Sequence, residues 1–102
     1  MGYELLTTTS ARRSLKRLPR QIRQHIIQVA QKIGIDPFQA KQLDRPWTFL
    51  RSWHTVYRRT HYRLVYEVDK RHQRVFIHFV GTRERFYKQL MRLKLKPQAL
   101  NQ

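Results

Sequence analysis

The chain has 102 residues, with 22 Lys or Arg against 6 Asp or Glu, so its formal net charge at pH 7 is +16. The length suits one domain, and 40% hydrophobic with 12% aromatic residues is enough to build a core, which argues against a disordered chain. Cysteine is absent, which excludes disulfides and Cys-ligated zinc.

The positive charge favours a polyanionic partner, and nucleic acid is the first candidate. The charge is spread along the chain, whereas a membrane-surface role would gather it on one amphipathic helix. A basic surface without a nucleic-acid partner is the alternative. The start of the chain lacks the apolar stretch of a signal peptide and no run is long enough to span a bilayer, so we expect a cytoplasmic protein without a membrane partner.

The first predicted element is a short strand from Tyr3 to about Thr8, rich in β-forming residues. Ser10 is placed to cap a helix that Pro19 ends. Apolar residues recur at helical spacing between these two positions.

A second helix is predicted from about Pro19 to Ile33, because apolar residues form one stripe along it. Gly34 is placed to end this helix. Residues 34–47 mix Gly, Asp and Pro with scattered apolar residues, which predicts an irregular connection lying across the core.

Three segments dense in β-branched and aromatic residues follow at 49–59, 61–68 and 74–81, separated by short polar links. They predict an antiparallel meander. From Glu84 the apolar spacing becomes helical again, and Pro97 begins a polar tail.

The order β-α-α-β-β-β-α predicts a single α+β domain with its core over about 3–94 and a polar tail over 95–102. The two N-terminal helices should pack on one face of a small antiparallel sheet, while the other face need not be covered. Segments 63–68 and 75–80 are apolar on both faces, so the side that each strand gives to the helices stays open. Arginines and aromatics on an uncovered face would form a shallow basic groove.

Four segments carry a family resemblance: LTTTSARRSLKRLP, KQL following a DP pair, YRLVYEV and FVGTRERFY. Across roughly residues 3–91 the chain resembles the RelE/ParE superfamily of bacterial toxins, and HYRLVYEV and VGTRERFY resemble its RelE branch of messenger-RNA endonucleases. The resemblance implies a microbial-ribonuclease-like fold and cleavage of mRNA in the ribosomal A site, at the 16S rRNA decoding region, without a metal or another cofactor. It also implies a cognate acidic antitoxin that wraps the basic groove.

The resemblance also implies roles for individual residues. Arg63 matches a catalytic strand arginine of the family, and Arg83 matches its second catalytic arginine. Tyr87 matches the aromatic residue that opens the last helix, and Arg58 falls where another strand arginine often lies.

Metal-free RNA cleavage requires one group to remove the proton of the ribose 2′-hydroxyl and others to stabilise charge on the phosphate. Arginine suits the phosphate because its guanidinium stays charged and offers a planar fork of donors, so Arg63 and Arg83 are the candidates. Where well-known RelE members have two lysines, this chain has His54 and Val56. His54 could exchange a proton at neutral pH, its pKa lowered by basic neighbours, or could simply pack beside Trp53; both roles remain open.

Tyr87 could steer the 2′-hydroxyl or stack on an unstacked RNA base, and core packing beside Phe86 is its alternative role. Further basic residues are candidates to hold flanking phosphates of messenger or ribosomal RNA: Arg51, Arg59, Arg85 and Lys88. The remaining histidines show no metal-ligand spacing, and we expect them to be structural, with no metal site: His25, His61, His72 and His78.

The leading hypothesis from the sequence is therefore a type II toxin that is an endoribonuclease, with Arg63 and Arg83 stabilising charge while His54 and Tyr87 move or steer protons. One alternative is a ParE-like inhibitor of DNA gyrase without nuclease activity. The other is a basic RNA-binding module without chemistry.

Overall fold

The computed structural model describes residues 2–99. In chain order its elements are β1 (Glu4–Thr7), α1 (Thr9–Lys16), α2 (Arg20–Ile35), β2 (Arg51–Tyr57), β3 (Thr60–Asp69), β4 (Arg74–Thr82), a 3-10 helix (Arg83–Arg85) and α3 (Phe86–Leu93). None of the helices within the described range has the length and apolar character that crossing a bilayer requires.

The strands form one four-stranded sheet in the order β1-β4-β3-β2, so the predicted α+β class is confirmed. Strands β2, β3 and β4 make the predicted antiparallel meander. β1, however, runs parallel to β4, so the sheet is mixed and the expectation of a wholly antiparallel sheet is wrong. Parallel pairing requires a long crossover connection between the two strands. Here α1, α2, β2 and β3 lie between β1 and β4 in the chain.

Thr8, and not Ser10, caps the first helix. Its Oγ1 accepts a hydrogen bond from the N–H of Ala11 at 3.2 Å, whereas Ser10 lies within the first turn of α1. Thr8 is also held by β4, because its N–H donates to Ile77 O at 3.1 Å and its hydroxyl donates to His78 O at 3.2 Å. The cap therefore falls on the residue that joins the sheet to the helix.

Helix α2 continues through Gly34 to Ile35, so the predicted stop at Gly34 is wrong. The carbonyl of Gly34 accepts a hydrogen bond from the N–H of Tyr3 at 2.7 Å. A Cβ at this position would lie 3.3 Å from Tyr3 O and 3.4 Å from Leu5 Cγ. The glycine therefore allows the first strand to approach the helix closely.

Helices α1 and α2 cover one side of the sheet, which we call the helix side. Side chains alternate along a strand, and the positions of β3 that face the helices are Tyr62, Leu64 and Tyr66. The helix-side core consists of Ala11, Ile26, Val29, Ile33, Tyr62, Leu64, Tyr66, Val75, Ile77 and Val80.

The opposite side, which we call the open side, has a smaller core of its own. Helix α3 and the end of the connection before β2 pack there. The members of this second core are Leu50, Val65, Phe79, Phe86 and Leu90. The open side is thus partly covered, and the pairing of β2 with β3 brings Arg63 and His54 to its uncovered part.

A bulge interrupts the pairing of β3 with β4. Val65 lies opposite Phe79 and Tyr66 opposite Ile77, so His78 is an extra residue on β4. Beyond His78 the alternation of β4 shifts by one position, which places Phe79 on the open side beside Val65.

The segment after α3 is tied to the open side by the buried carboxylate of Glu67. The N–H groups of Gln98 and Ala99 each donate to it at 2.8 Å, and His78 Nε2 lies 2.8 Å from its Oε1. Burial by itself raises the pKa of Glu67, but the hydrogen bonds from His78 and the two N–H groups outweigh burial and lower it. The predicted polar tail over 95–102 is therefore fixed to the sheet as far as Ala99, and its last three residues lie outside the described residues.

Candidate functional site

A polar row crosses the open side of the sheet. His54 on β2 lies opposite Arg63 on β3, and Arg63 lies opposite Gly81 on β4. Arg83 follows directly after β4, in the 3-10 helix. His54 and Arg63 therefore face each other at the uncovered part of this side, and Arg83 follows the strand that pairs with Arg63.

The guanidinium of Arg63 is held in a defined orientation. Its Nη1 donates a hydrogen bond to Ser52 Oγ at 3.2 Å, and its Cζ lies 5.4 Å from the centroid of the Phe86 ring. Ion pairs among the described residues involve the carboxylates of Glu67 and Asp69, and neither pairs with Arg63. The remaining donors of this guanidinium are available to an anion.

Arg83 is exposed and takes part in none of the ion pairs found within residues 2–99. It borders an open cleft of about 410 Å³ between the β2-β3 hairpin and the 3-10 helix. The lining residues are Arg59, Thr60, His61, Thr82, Arg83 and Glu84. Cationic side chains outnumber the single carboxylate in this cleft.

The pKa of His54 is lowered from its ordinary value of 6.5. Partial burial of the ring is the largest cause, followed by the charges of His61, Arg63 and Arg83. The direction agrees with the expectation for a histidine in a basic neighbourhood. Arg63 and Arg83 are thus both near enough to His54 to lower its pKa.

Tyr87 is the second residue of α3. Its ring lies edge-on to that of Phe86, with the centroids 4.9 Å apart, but its side chain is 60% exposed, so this contact leaves most of the ring open to solvent. Its ring centroid lies 6.2 Å from that of Trp47, and Trp47 packs against the open-side core. A contact between Tyr87 and RNA stays a prediction.

Arg58 lies in the turn between β2 and β3, with a φ of 48°, and Arg59 follows with a φ of 68°. The expectation of a strand arginine at this position is wrong, because β2 ends at Tyr57. Arg58 Cζ lies 5.4 Å from the centroid of Tyr57, whose ring packs against the helix-side core. Arg58 therefore leans away from Arg63.

Arg51 is also displaced from the predicted site. It lies three residues before His54 on β2, so alternation points it to the other side of the sheet. Its Nη1 donates to Ala40 O at 2.7 Å, and its Cζ lies 5.1 Å from the centroid of Phe38. The geometry therefore assigns Arg51 to fastening the connection, and the expectation of a phosphate contact does not fit. Arg85 and Lys88, by contrast, are exposed at the start of α3.

Most of the other histidines have structural partners. The partners are Thr55 for His25 at 2.8 Å, Asp69 for His72 at 2.9 Å and Glu67 for His78 at 2.8 Å. His61 differs, because its Nδ1 lies 2.7 Å from Nε2 of His54. Sequence reasoning set His61 aside as structural and so missed that it joins the candidate site. No group of three His, Cys, Asp or Glu side chains in residues 2–99 is arranged to hold a metal ion.

Comparison with solved structures finds toxins of toxin-antitoxin systems. A chain of the Mycobacterium tuberculosis RelBE2 toxin-antitoxin complex superposes with a TM-score of 0.70 at 33% identity, covering 81% of this chain and 100% of that chain. An arginine-to-alanine double mutant of Escherichia coli RelE in the free state gives a TM-score of 0.71 at 24% identity, covering 93% and 100% of the two chains. The intact E. coli RelBE complex gives 0.64 at 23% identity, covering 78% and 94%.

The fold is thus that of the RelE toxin structures. A family model described as the ParE-like toxin of type II bacterial toxin-antitoxin systems matches residues 5–91. Because the match spans most of the chain, the protein belongs to this family and is a type II toxin of the RelE/ParE superfamily. Comparison with curated proteins gives no significant match.

Proposed function

We propose that this toxin is a metal-independent endoribonuclease that cleaves mRNA in the ribosomal A site and thereby inhibits translation in the cytoplasm. The observation that supports the proposal is that His54 and Arg63 lie opposite each other on β2 and β3, with Arg83 of the 3-10 helix near enough to lower the pKa of His54. The likeness of the HYRLVYEV and VGTRERFY segments to the RelE branch supports messenger RNA as the substrate.

In the proposed reaction, neutral His54 removes the proton of a ribose 2′-hydroxyl. The 2′-oxygen forms a bond to the adjacent phosphorus, and the bond from phosphorus to the 5′-oxygen breaks. The leaving 5′-oxygen takes a proton from solvent water. The products are a 2′,3′-cyclic phosphate and a 5′-hydroxyl end. The lowered pKa of His54 keeps its ring neutral, and so able to act as a base, at physiological pH.

Arg63 and Arg83 stabilise the negative charge that grows on the phosphoryl oxygens. Ser52 and Phe86 hold the Arg63 guanidinium in place before substrate arrives, so less reorganisation is needed during the reaction. The exposed Tyr87 ring offers a stacking platform for a base next to the cleaved bond.

Arg59, Arg85 and Lys88 are exposed, and Arg59 borders the same cleft as Arg83. All three are proposed to hold flanking phosphates of messenger or ribosomal RNA. The same positive surface suits an acidic antitoxin as the neutralising partner. This partner is supported by the relatives, which were solved as toxin-antitoxin complexes from M. tuberculosis and E. coli.

The test is primer extension on mRNA from a translating extract. Arg63→Ala and Arg83→Ala should each slow cleavage by about 10²- to 10³-fold, because each removes a donor to the transition state. Arg20→Ala is the matched control, since Arg20 is exposed at the start of α2 and lies outside the site. The proposal would be contradicted if all the variants still cleaved mRNA at the wild-type rate, or if the wild-type protein did not cleave it.

Inhibition of DNA gyrase is the second candidate function, because the matching family model is the ParE-like one. A supercoiling assay separates the two. Blocked supercoiling with intact mRNA would favour gyrase, while ribosome binding with intact mRNA and active gyrase would favour a noncatalytic RNA-binding module.

A further inference from the structure

The rings of His54 and His61 meet edge to edge on the open side. Nε2 of His54 lies 2.7 Å from Nδ1 of His61, the ring planes differ by 15°, and the centroids are 4.9 Å apart. This separation is close to that of two coplanar five-membered rings joined by a hydrogen bond of that length. The rings are therefore joined through a single shared proton and are not stacked face to face.

The backbone sets up this pair before any substrate is present. His54 lies opposite Arg63 and His61 lies opposite Val56 in the antiparallel ladder, so the two histidines are diagonal neighbours on one side of the sheet. The tight turn at 58–59 fixes this register.

The shared hydrogen bond restricts which nitrogen can act as a base. If His54 donates from Nε2, its Nδ1 keeps a lone pair and can accept a proton. If His61 donates instead, Nδ1 of His54 carries a hydrogen and cannot. In either arrangement, a hydrogen on both of the facing nitrogens would break the hydrogen bond between the rings.

The surroundings oppose two positive charges on the pair. The charged groups that face it come from four segments: Lys41 of the connection, Arg59 of the turn, Arg63 of β3, and Arg83 with Glu84 of the 3-10 helix. Cations outnumber the one carboxylate, so these neighbours disfavour a second positive charge on the pair.

We propose that His61 is a positioning residue for His54: it accepts the Nε2–H of His54 and thereby directs Nδ1 of His54 toward the 2′-hydroxyl. The inference rests on the cleavage proposed above. When Nδ1 takes the substrate proton, the His54 imidazolium keeps its Nε2–H bond to His61, and the Nδ1 proton then passes to solvent water. The positive charge thus passes from His54 to solvent, and His54 returns to the neutral form that can accept another proton at Nδ1.

Single-turnover cleavage of ribosome-bound mRNA tests this role with four variants: His54→Ala, His61→Ala, the double variant and His61→Gln. Each alanine variant should slow cleavage by about 10²-fold, and the double variant should be no slower than either, because the two rings act as one unit. Glutamine should restore most of the rate, since its amide oxygen can accept the Nε2–H. His72→Ala is the control, because His72 pairs with Asp69 away from this site.

Multiplicative losses in the double variant, or a wild-type rate in His61→Ala, would overturn the proposal. A second readout does not depend on activity: in ¹⁵N-labelled protein the ring signals of His54 should show a hydrogen on Nε2 and none on Nδ1, and His61→Ala but not His72→Ala should change the Nε2 signal. Cleavage without this signature refutes the pair alone. The signature without cleavage by the wild-type protein refutes the proposed function and, with it, the catalytic use of the pair.

Discussion

The two sides of the sheet differ in how completely they are covered. On the helix side two helices close over an apolar core in which Leu64 is fully buried. On the open side the cover consists of α3 and the end of the connection, packed around Leu50 and Phe79. The polar row from His54 to Arg83 lies beyond this cover. A strand that is apolar on both faces can thus support two cores, and the candidate site lies where the second core ends.

The largest expected effect is on stability, and Leu64→Ala and Leu50→Ala form a matched pair because both side chains are 0% exposed. Each should lower the free energy of unfolding by about 2 to 5 kcal/mol, with the larger loss for Leu64 in the larger core. Urea unfolding measures both. A negligible loss for Leu50→Ala would show that the open side has no independent core.

Glu67→Gln tests whether the segment after α3 belongs to the cover of the open side. It should cost about 1.5 to 3 kcal/mol, because it weakens charge-assisted hydrogen bonds from Gln98, Ala99 and His78. The folded pKa of Glu67 is lowered, so its contribution is complete above the ordinary value of 4.5 and is lost as pH falls through the lower folded value.

Unfolding measured from pH 7 downward should therefore show a steeper loss of stability below about pH 4.5 in the wild-type protein than in Glu67→Gln. Parallel pH profiles for the two proteins would mean that the carboxylate does not hold the segment. The amides of Gln98 and Ala99 donate to Glu67, so hydrogen exchange at these two amides gives a local readout of the same release.

The turn between β2 and β3 should be a place where stability and function conflict. Arg58 and Arg59 both have positive φ, which costs roughly 1 to 2 kcal/mol per residue outside glycine. Replacing the pair with Asn-Gly, the sequence preferred in such turns, should raise the free energy of unfolding by about 1 to 2 kcal/mol and weaken ribosome binding. Arg58→Asn alone should leave binding intact, because Arg58 leans toward the helix side; a loss comparable to that of Arg59→Gly would contradict this placement.

The smallest expected effect concerns flanking phosphates. Arg85→Ala and Lys88→Ala should each reduce the slope of log affinity against log salt by about 0.7 to 0.9, the value for one lost phosphate contact. Filter binding to ribosomes over a salt series measures the slope. Arg51→Ala is the comparison on the helix side, and an equal reduction there would show that charge alone, without position, determines binding.

The order of elements could be read from the sequence because hydrophobic periodicity and Gly or Pro punctuation are local signals. The partner of β1 could not, since pairing with β4 depends on where two helices bring the chain. The prediction for Gly34 was wrong for the same reason. Its place in the sequence suggested a helix end, but the residue is required there because Tyr3, which is distant in the sequence, approaches the helix closely.

The site was partly predictable for a similar reason. Strand alternation placed His54 opposite Arg63, and the motif placed Arg83 close after β4, while the catalytic roles of these residues stay predictions. The prediction for Arg58 was wrong because two arginines are unusual in a tight hairpin turn, so the sequence did not indicate the turn at 58–59. Without that turn, the position of His61 beside His54 could not be predicted either. A turn assigned to positions 58–59 would have paired Tyr57 with Thr60 and placed His61 diagonally from His54.

The bulge at His78 has a wider consequence for how this fold can change. It adds one residue to β4 while Ile77 and Phe79 keep partners that are adjacent on β3, and the same residue reaches the carboxylate that holds the chain end. Deleting His78 would therefore leave Gly81 and the start of the 3-10 helix on their present side and would remove one contact of Glu67. The extra residue thus serves the attachment of the chain end and leaves the position of the second arginine unchanged.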